Sequence, residues 1–287
     1  MEIKKIMVVG AGQMGAGIAQ VAAKSGIEVV LNDVKPEFVA RGISGVEKRL
    51  EREVSKERMD EDEKKEIMTR ILPSTFLGDA KDCDLVIEAV IENMDIKREI
   101  FSKLDLICPA HTILASNTSA LPVTEIGNTT KRPEKVIGMH FMNPVPLMKL
   151  VEIIRGLETA EDTYESIYEF ALKLDKSPVA ANDAPGFISN RILLPMINEA
   201  IFCLFEGVGE PEDIDRVLML GMNHRMGPLA LADLIGLDTC LYIMEVLYDG
   251  FKDTKYRPCP LLRKYVNAGR LGVKTGRGFY IYNQATA

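Results

Sequence analysis

This 287-residue chain lacks the features that would place it in a membrane, around a metal or on a nucleic acid. No apolar run is long enough to span a bilayer, and the N-terminus enters a strand at once, without an export-signal pattern. The five cysteines (Cys83, Cys108, Cys203, Cys240 and Cys259) are odd in number and show no metal-type spacing. They read as reduced thiols of an intracellular protein. Positive charge is in deficit, the net charge being −7, which argues against nucleic acid or anionic membrane as a partner. Internal repeats and low-complexity tracts are missing too. These absences predict a cytoplasmic globular protein with no metal site. The chain is 47% hydrophobic and 27% charged, enough for a sizeable core, and its length suggests two domains.

The first positive signal is Gly10-Ala11-Gly12-Gln13-Met14-Gly15, between an apolar strand at Lys4–Val9 and a helix running to Lys24. A lone G-x-G-x-x-G is weak, because glycines also mark ordinary turns; the strand before it and the helix after it give it weight. Gly10 permits the tight turn, Gly12 lets backbone approach a pyrophosphate, and Gly15 allows close helix–strand packing. A second strand, Ile27–Asn32, ends at Asp33, about 20 residues on, where a ribose-binding acid belongs. An acid there accepts from a 2′-hydroxyl and repels a 2′-phosphate, so NAD(H) is favoured over NADP(H), with Lys35 close by as the one opposing feature.

From Glu37 to Arg70 the chain is highly charged and helix-prone, mostly a solvated face. Within it Arg49, Arg52 and Lys56 fall on one helical face and could hold a phosphate-bearing substrate, although such spacing usually means only solvated surface. Further strands are expected at Asp84–Val90, Thr112–Ser116, Lys135–Phe141, Lys149–Ile154 and Pro178–Ala181, with a helix at Thr159–Leu174. Glu92 and Lys97 follow the first of these strands and Asn117-Thr118-Ser119 the second, at the sheet edge where open α/β folds bind ligands. Asn and Ser at a strand end often do no more than cap a helix.

Within Val136–Ile154, His140 and Glu152 are polar groups in segments otherwise bound for a sheet interior, on either side of a turn broken by Pro144 and Pro146. Burying either is costly without a partner, and each is the obvious partner of the other. A carboxylate so placed would orient the imidazole and raise its basicity, as a general base requires. A lone strand-end histidine satisfied by backbone is the plainer reading; the facing carboxylate and the upstream glycine motif weigh against it. A boundary is expected near Asp183-Ala184-Pro185-Gly186. Beyond it come helices at Phe187–Phe205 (with Pro195 inside), Glu212–Leu220, Leu229–Tyr248 and Leu261–Ala268. The expected layout is a Rossmann-type α/β domain over 1–184 and a smaller all-α domain over 185–287.

These motifs together resemble the short L-3-hydroxyacyl-CoA dehydrogenases, and within them the bacterial and archaeal 3-hydroxybutyryl-CoA dehydrogenases. The resemblance covers essentially the whole chain. It runs through GAGQMGAGIAQ at Gly10–Gln20, DLVIEAVIENMDIK at Asp84–Lys97 and LASNTSAL at Leu114–Leu121. It continues in GMHFMNPVPLMKLVEII at Gly138–Ile154, PGFISNRIL at Pro185–Leu193 and KTGRGFYIY at Lys274–Tyr282.

The resemblance implies an NAD-dependent oxidoreductase interconverting acetoacetyl-CoA and (S)-3-hydroxybutyryl-CoA. It implies His140 as the base, Glu152 as the group orienting it, and Ser119 and Asn190 as hydrogen-bonding the reacting substrate oxygen. The dinucleotide positions it implies are Gly10, Gly12, Gln13, Met14, Gly15, Asp33, Glu92, Lys97, Asn117, Ser119, Asn143 and Lys274. The coenzyme A phosphates map onto Arg49, Arg52 and Lys56, and Ser119 also touches substrate. Arginine at 49 and 52, Met142 and Ala120 depart from common family residues. The helical domain is implied to form a homodimer or higher homo-oligomer. Two alternatives carry different expectations. A dehydrogenase of a free hydroxy acid, such as an L-gulonate 3-dehydrogenase, would need no aligned cations. A non-catalytic dinucleotide-binding protein would not need His140 and Glu152. The lysine base of the 6-phosphogluconate and β-hydroxyacid dehydrogenases has no counterpart here.

Overall fold

Short runs of valine, isoleucine and leucine without polar alternation are strands buried on both faces, and such strands pair in parallel under covering helices. A computed structural model describes residues 1–282; residues 283–287, at the end of the expected second domain, lie outside the described residues. Contacts divide the chain into two units, Met1–Asp183 and the residues from Ala184 on.

In chain order the first unit holds β1 (Lys5–Val9), α1 (Gln13–Lys24), β2 (Glu28–Asn32), α2 (Pro36–Ser55), α3 (Glu61–Thr69), β3 (Ile71–Ser74), β4 (Leu85–Glu88), α4 (Met94–Ile107), β5 (Ile113–Ser116), α5 (Val123–Gly127), β6 (Val136–Phe141), β7 (Leu150–Arg155), α6 (Glu161–Lys173) and β8 (Ser177–Asn182). Among the described residues the eight strands form one sheet in the order β3-β2-β1-β4-β5-β6-β7-β8. The strands from β3 to β6 run parallel. The β6–β7 pair is antiparallel and the β7–β8 pair parallel, so the last two strands run against the rest. Because β1 has β2 on one side and β4 on the other, strand order reverses there, and ligands of open α/β sheets bind beyond the carboxyl ends of strands at such a point.

The helices follow from their patterns. Pro36 opens α2 at its first turn, and Val39, Gly42, Val46 and Leu50 form its buried stripe. Gly42 sits where a Cβ would stand 2.6 Å from the Ala11 carbonyl oxygen, so helix α2 approaches the glycine turn as closely as backbone allows. Asp60 caps α3 by accepting from Glu63 N–H at 2.7 Å, with three acids in the first turn.

Several details depart from expectation. β3 is an additional strand, and its Pro73 is tolerated because β3 is the sheet edge. The charged stretch is two helices, broken between Ser55 and Glu61. Helix α6 starts at Glu161 rather than at Thr159, whose hydroxyl donates to the Val136 carbonyl at 2.6 Å and ties the helix entry to β6.

The second unit holds α7 (Ser189–Phe205), α8 (Pro211–Gly221), α9 (Pro228–Ile235), α10 (Leu237–Phe251) and α11 (Pro260–Asn267), packed around Leu194, Ile201, Leu229, Leu237, Met244 and Leu262. The single helix expected over Leu229–Tyr248 is two, because Gly236 takes φ +102° and ends α9. Asp215 replaces the missing first-turn partners of α9 by accepting from Leu229 N–H (2.8 Å) and Ala230 N–H (3.0 Å).

All five cysteines are free. Burial pushes the thiols of Cys83 and Cys240 up to about 12 and that of Cys108 up to about 11, which starves them of thiolate at neutral pH. At pH 8 these three should resist a chromogenic disulfide reagent until denaturant is added, while half-buried Cys203 reacts first. Rapid reaction of all five in the folded protein would contradict this account.

Candidate active site

Three glycines shape the turn from β1 into α1, each for a different steric reason. Gly10 has φ +105°, and a Cβ there would lie 2.5 Å from the Ala89 carbonyl oxygen. A Cβ on Gly15 would lie 1.7 Å from the Gly10 carbonyl oxygen, so only glycine lets α1 meet the end of β1. Gly12 is the opposite case, with nothing within 4 Å of the added carbon. It is also the N-cap of α1 and offers the first-turn N–H groups no side-chain acceptor.

Asp33, just past β2, accepts from Ala11 N–H at 2.7 Å and from Val34 N–H at 2.7 Å, binding the end of β2 to the glycine turn. A cleft of about 810 Å³ opens beside it, lined by Gly10–Met14, Asp33, Phe38, Arg41, Val90 and Ile91, among others. Lys35 lies 5.6 Å from the Phe38 ring centroid and Arg41 5.8 Å from it, so the cation beside Asp33 is engaged with an aromatic face. An uncapped helix start, room at Gly12, a carboxylate at the second strand end and a largely apolar cleft fit a dinucleotide.

The sheet's change of direction at β7 builds the second half of the site. In the β6–β7 register His140 stands directly opposite Glu152, and Nδ1 of the imidazole lies 2.8 Å from Glu152 Oε2. Both side chains are buried. The carboxylate holds the Nδ1 edge and thereby fixes the ring orientation, so Nε2 is the nitrogen directed away from Glu152. Removing one member of such a buried pair costs about 3–5 kcal/mol, because the other is left uncompensated.

The other expected residues of the first unit sit in hydrogen-bond networks at the strand ends and in the cleft. Asn117 follows β5, and its Oδ1 accepts from Phe141 N–H at 2.9 Å, clamping the strand that carries His140. Asn143, in the turn after β6, accepts from Gln13 Nε2 at 3.0 Å, tying that turn to the start of α1. Ser119 donates its backbone N–H to Glu92 Oε1 at 2.8 Å. Lys97 is 1% exposed, and its ammonium reaches both oxygens of Glu88 (2.8 and 2.9 Å) and one of Glu92 (3.2 Å). Met14 is half-buried at the cleft.

The basic face of α2 is not uniform. Arg52 and Lys56 are exposed, Lys56 being the C-cap residue just past the helix. Arg49 instead turns toward α1, where its Nε donates to Gln20 Oε1 at 2.6 Å, and burial lowers its basicity. In the second unit, Asn190 lies in the first turn of α7, and Lys274 sits in a 3₁₀ turn donating to Asp238 Oδ2 at 2.7 Å.

Sequence reasoning missed Glu88 and Ser116. Glu88 is fully buried in β4, accepting from Val90 N–H (2.7 Å) and Ser116 Oγ (2.7 Å) as well as from Lys97. The signal was available: an acid in the apolar run DLVIEAV is as anomalous as Glu152 in LVEII.

A glycine turn onto a helix start at the switch point of a parallel sheet, with an imidazole–carboxylate pair at the neighbouring strand ends, defines a nicotinamide-dependent dehydrogenase. Comparison with known proteins narrows this: residues 5–184 match the 3-hydroxyacyl-CoA dehydrogenase NAD-binding domain and residues 186–282 the C-terminal domain of the same family. The chain belongs to the 3-hydroxyacyl-CoA dehydrogenase family, with NAD(H) as its cofactor. It is 61% identical over 287 residues to a probable 3-hydroxybutyryl-CoA dehydrogenase of Bacillus subtilis, covering 100% of both chains. It is 54% identical to the 3-hydroxybutyryl-CoA dehydrogenase of Bradyrhizobium diazoefficiens, over 99% of this chain and 97% of that one. It also resembles the crystal structure of (S)-3-hydroxybutyryl-CoA dehydrogenase PaaH1 from Ralstonia eutropha, with TM-score 0.96, 48% identity, and coverage of 99% of this chain and 100% of that one. Among the described residues no helix is long and apolar enough to cross a membrane.

The glycine sterics make opposite forecasts for two neighbouring substitutions. Gly12→Ala should leave the thermal midpoint nearly unchanged, its φ being an ordinary −67°, yet weaken NADH binding about tenfold by filling the pyrophosphate's approach. Gly10→Ala should cost about 1–3 kcal/mol of stability through strained backbone. Differential scanning fluorimetry and NADH fluorescence titration separate the two, and equal effects of both variants would refute the steric assignment.

Proposed function

We propose that this protein interconverts acetoacetyl-CoA and (S)-3-hydroxybutyryl-CoA with NAD(H), as a cytoplasmic homodimer. The observation that carries the reading is the buried His140–Glu152 pair at 2.8 Å, in a chain whose full-length relatives are named 3-hydroxybutyryl-CoA dehydrogenases. Gly12, the first turn of α1 and Asp33 hold the dinucleotide; when bound, it supplies hydride exchange at carbon 3 of the substrate. In the oxidative direction His140 Nε2 receives the 3-hydroxyl proton, and Glu152 stabilises the imidazolium so formed across Nδ1. In the reductive direction His140 returns that proton to the carbonyl oxygen, where Ser119 donates a hydrogen bond to the growing negative charge. Arg52 and Lys56, both exposed on the α2 end, attract the phosphates of coenzyme A. Ile192, Val217, Leu220 and Met222 are exposed apolar residues of the helical unit, and a second copy of the chain would cover them.

The decisive assay follows NADH, then NADPH, with acetoacetyl-CoA against free acetoacetate. Rapid oxidation of NADH with the thioester alone is expected; turnover of the free acid would move the reading to a hydroxy-acid dehydrogenase. His140→Ala should lower kcat by about 10²–10⁴-fold, the usual worth of a positioned acid–base group, and undiminished turnover would remove His140 from the chemistry. Changing Arg52 and Lys56 together to Ala should raise KM for the thioester and spare KM for NADH. A thioester KM equal to the wild type would return that surface to plain solvation. Light scattering should give twice the chain mass; a monomer at micromolar concentration would refute the dimer.

A further inference from the structure

Glu92 uses its two carboxylate oxygens for different tasks. Oε1 accepts from Thr118 Oγ1 (2.5 Å), Ser119 N–H (2.8 Å) and Ala120 N–H (3.2 Å), so it sets the turn that carries Ser119. Oε2 faces the Lys97 ammonium at 3.2 Å. Lys97 in turn grips both oxygens of Glu88, at 2.8 and 2.9 Å, and Glu88 is held by Ser116 Oγ and Val90 N–H, each at 2.7 Å. The Glu88 and Lys97 side chains are 0% and 1% exposed and that of Glu92 is 23% exposed, so the chain of contacts runs from the sheet interior outward to the Ser119 turn.

The charge count gives this chain a direction. Two carboxylates share one ammonium, and the closer, double contact is with Glu88. Lys97 is therefore neutralised from within the sheet, which leaves Glu92 its full negative charge for the three donors of the turn. Lys97 bears on the Ser119 turn through Glu92, whose Oε2 its ammonium faces. Were Glu88 neutral, Lys97 would draw on Glu92 alone and pull its carboxylate inward, off the Ser119 and Ala120 N–H groups.

We infer that Glu88 and Lys97 are positioning residues for the proposed reaction, Glu88 acting as a counterweight that keeps Glu92 turned toward the Ser119 turn. This rests on the reading of Ser119 and Glu92 as substrate and dinucleotide contacts. A slack Ser119 turn misplaces the donor to the reacting oxygen, and small misplacements at a reacting centre carry large rate penalties.

The test compares wild type, Glu88→Gln and the double variant Glu88→Gln/Lys97→Met in steady-state kinetics and NADH fluorescence titration, with thermal unfolding as a check on folding. Glu88→Gln should lower kcat about tenfold or more and raise the NADH Kd about fivefold, while KM for the thioester stays within about threefold. The double variant, which removes the unbalanced ammonium as well, should recover at least about threefold of the lost kcat. A buried ion pair serving as scaffold alone would lower the unfolding midpoint and leave kcat and Kd per folded molecule unchanged; that result, or a double variant no better than the single one, overturns the inference. Should Glu88→Gln fail to fold, Glu88→Asp keeps both charges and withdraws the carboxylate from the Lys97 ammonium without touching the Ser119 turn. A kcat about threefold lower then supports the counterweight, and an unchanged kcat overturns it. A wild type silent on every thioester would count against the proposed reaction, and the NADH Kd of the same variants would then decide the inference by itself.

Discussion

The contact on which the site depends is a two-atom one across a pair of antiparallel strands. Parallel strands from β3 to β6 bring their carboxyl ends to one edge, but they cannot set a residue of one strand squarely against a partner reached through a short turn. Reversing direction at β7 does so, and it places Glu152 opposite His140 in the interior. The cost of burying an imidazole and a carboxylate is offset because each satisfies the other. That mutual requirement adds to the apolar side chains in holding the register of β6 and β7. A one-residue slip would strand both polar groups on faces without partners.

Around this pair, short hydrogen bonds join segments distant in sequence. Asn117 ties the end of β5 to Phe141, Asn143 reaches Gln13, and Asp33 reaches Ala11. Each links a strand end or the turn after it to a neighbouring strand end, helix start or turn. Rigid elements carry the chemistry-bearing groups, and side chains at the strand ends restrain the loops between them.

Much of this was legible in the sequence, for identifiable reasons. The glycine turn, Asp33, His140 and Glu152 stand out because each violates the local pattern: glycines where a helix begins, a charge at the end of an apolar strand, polar groups inside one. What escaped notice did so where local patterns mislead. Pro73 disguised β3, because a proline disqualifies a central strand but not an edge one. Gly236 lies inside a continuous apolar stretch, and only its positive φ marks α9 and α10 as separate. Arg49 shares a helical face with Arg52 and Lys56 by spacing, yet its guanidinium is committed to Gln20 on α1, a tertiary fact that periodicity does not contain. Glu88 obeys the same rule of anomaly as Glu152, but sits inside an apolar strand ahead of the more conspicuous Glu92 and Lys97.

The double duty of Asp33 bears on how cofactor preference could evolve or be redesigned. Its Oδ2 accepts the Ala11 N–H while its Oδ1 accepts the N–H of Val34. The acid proposed to meet the ribose is thus also a strut of the glycine turn. Exchanging it for a neutral or basic residue would admit the extra phosphate and in the same stroke orphan the Ala11 amide. A switch of coenzyme in this scaffold therefore calls for at least two changes, one to welcome the new charge and one to restore an acceptor beneath the glycine turn.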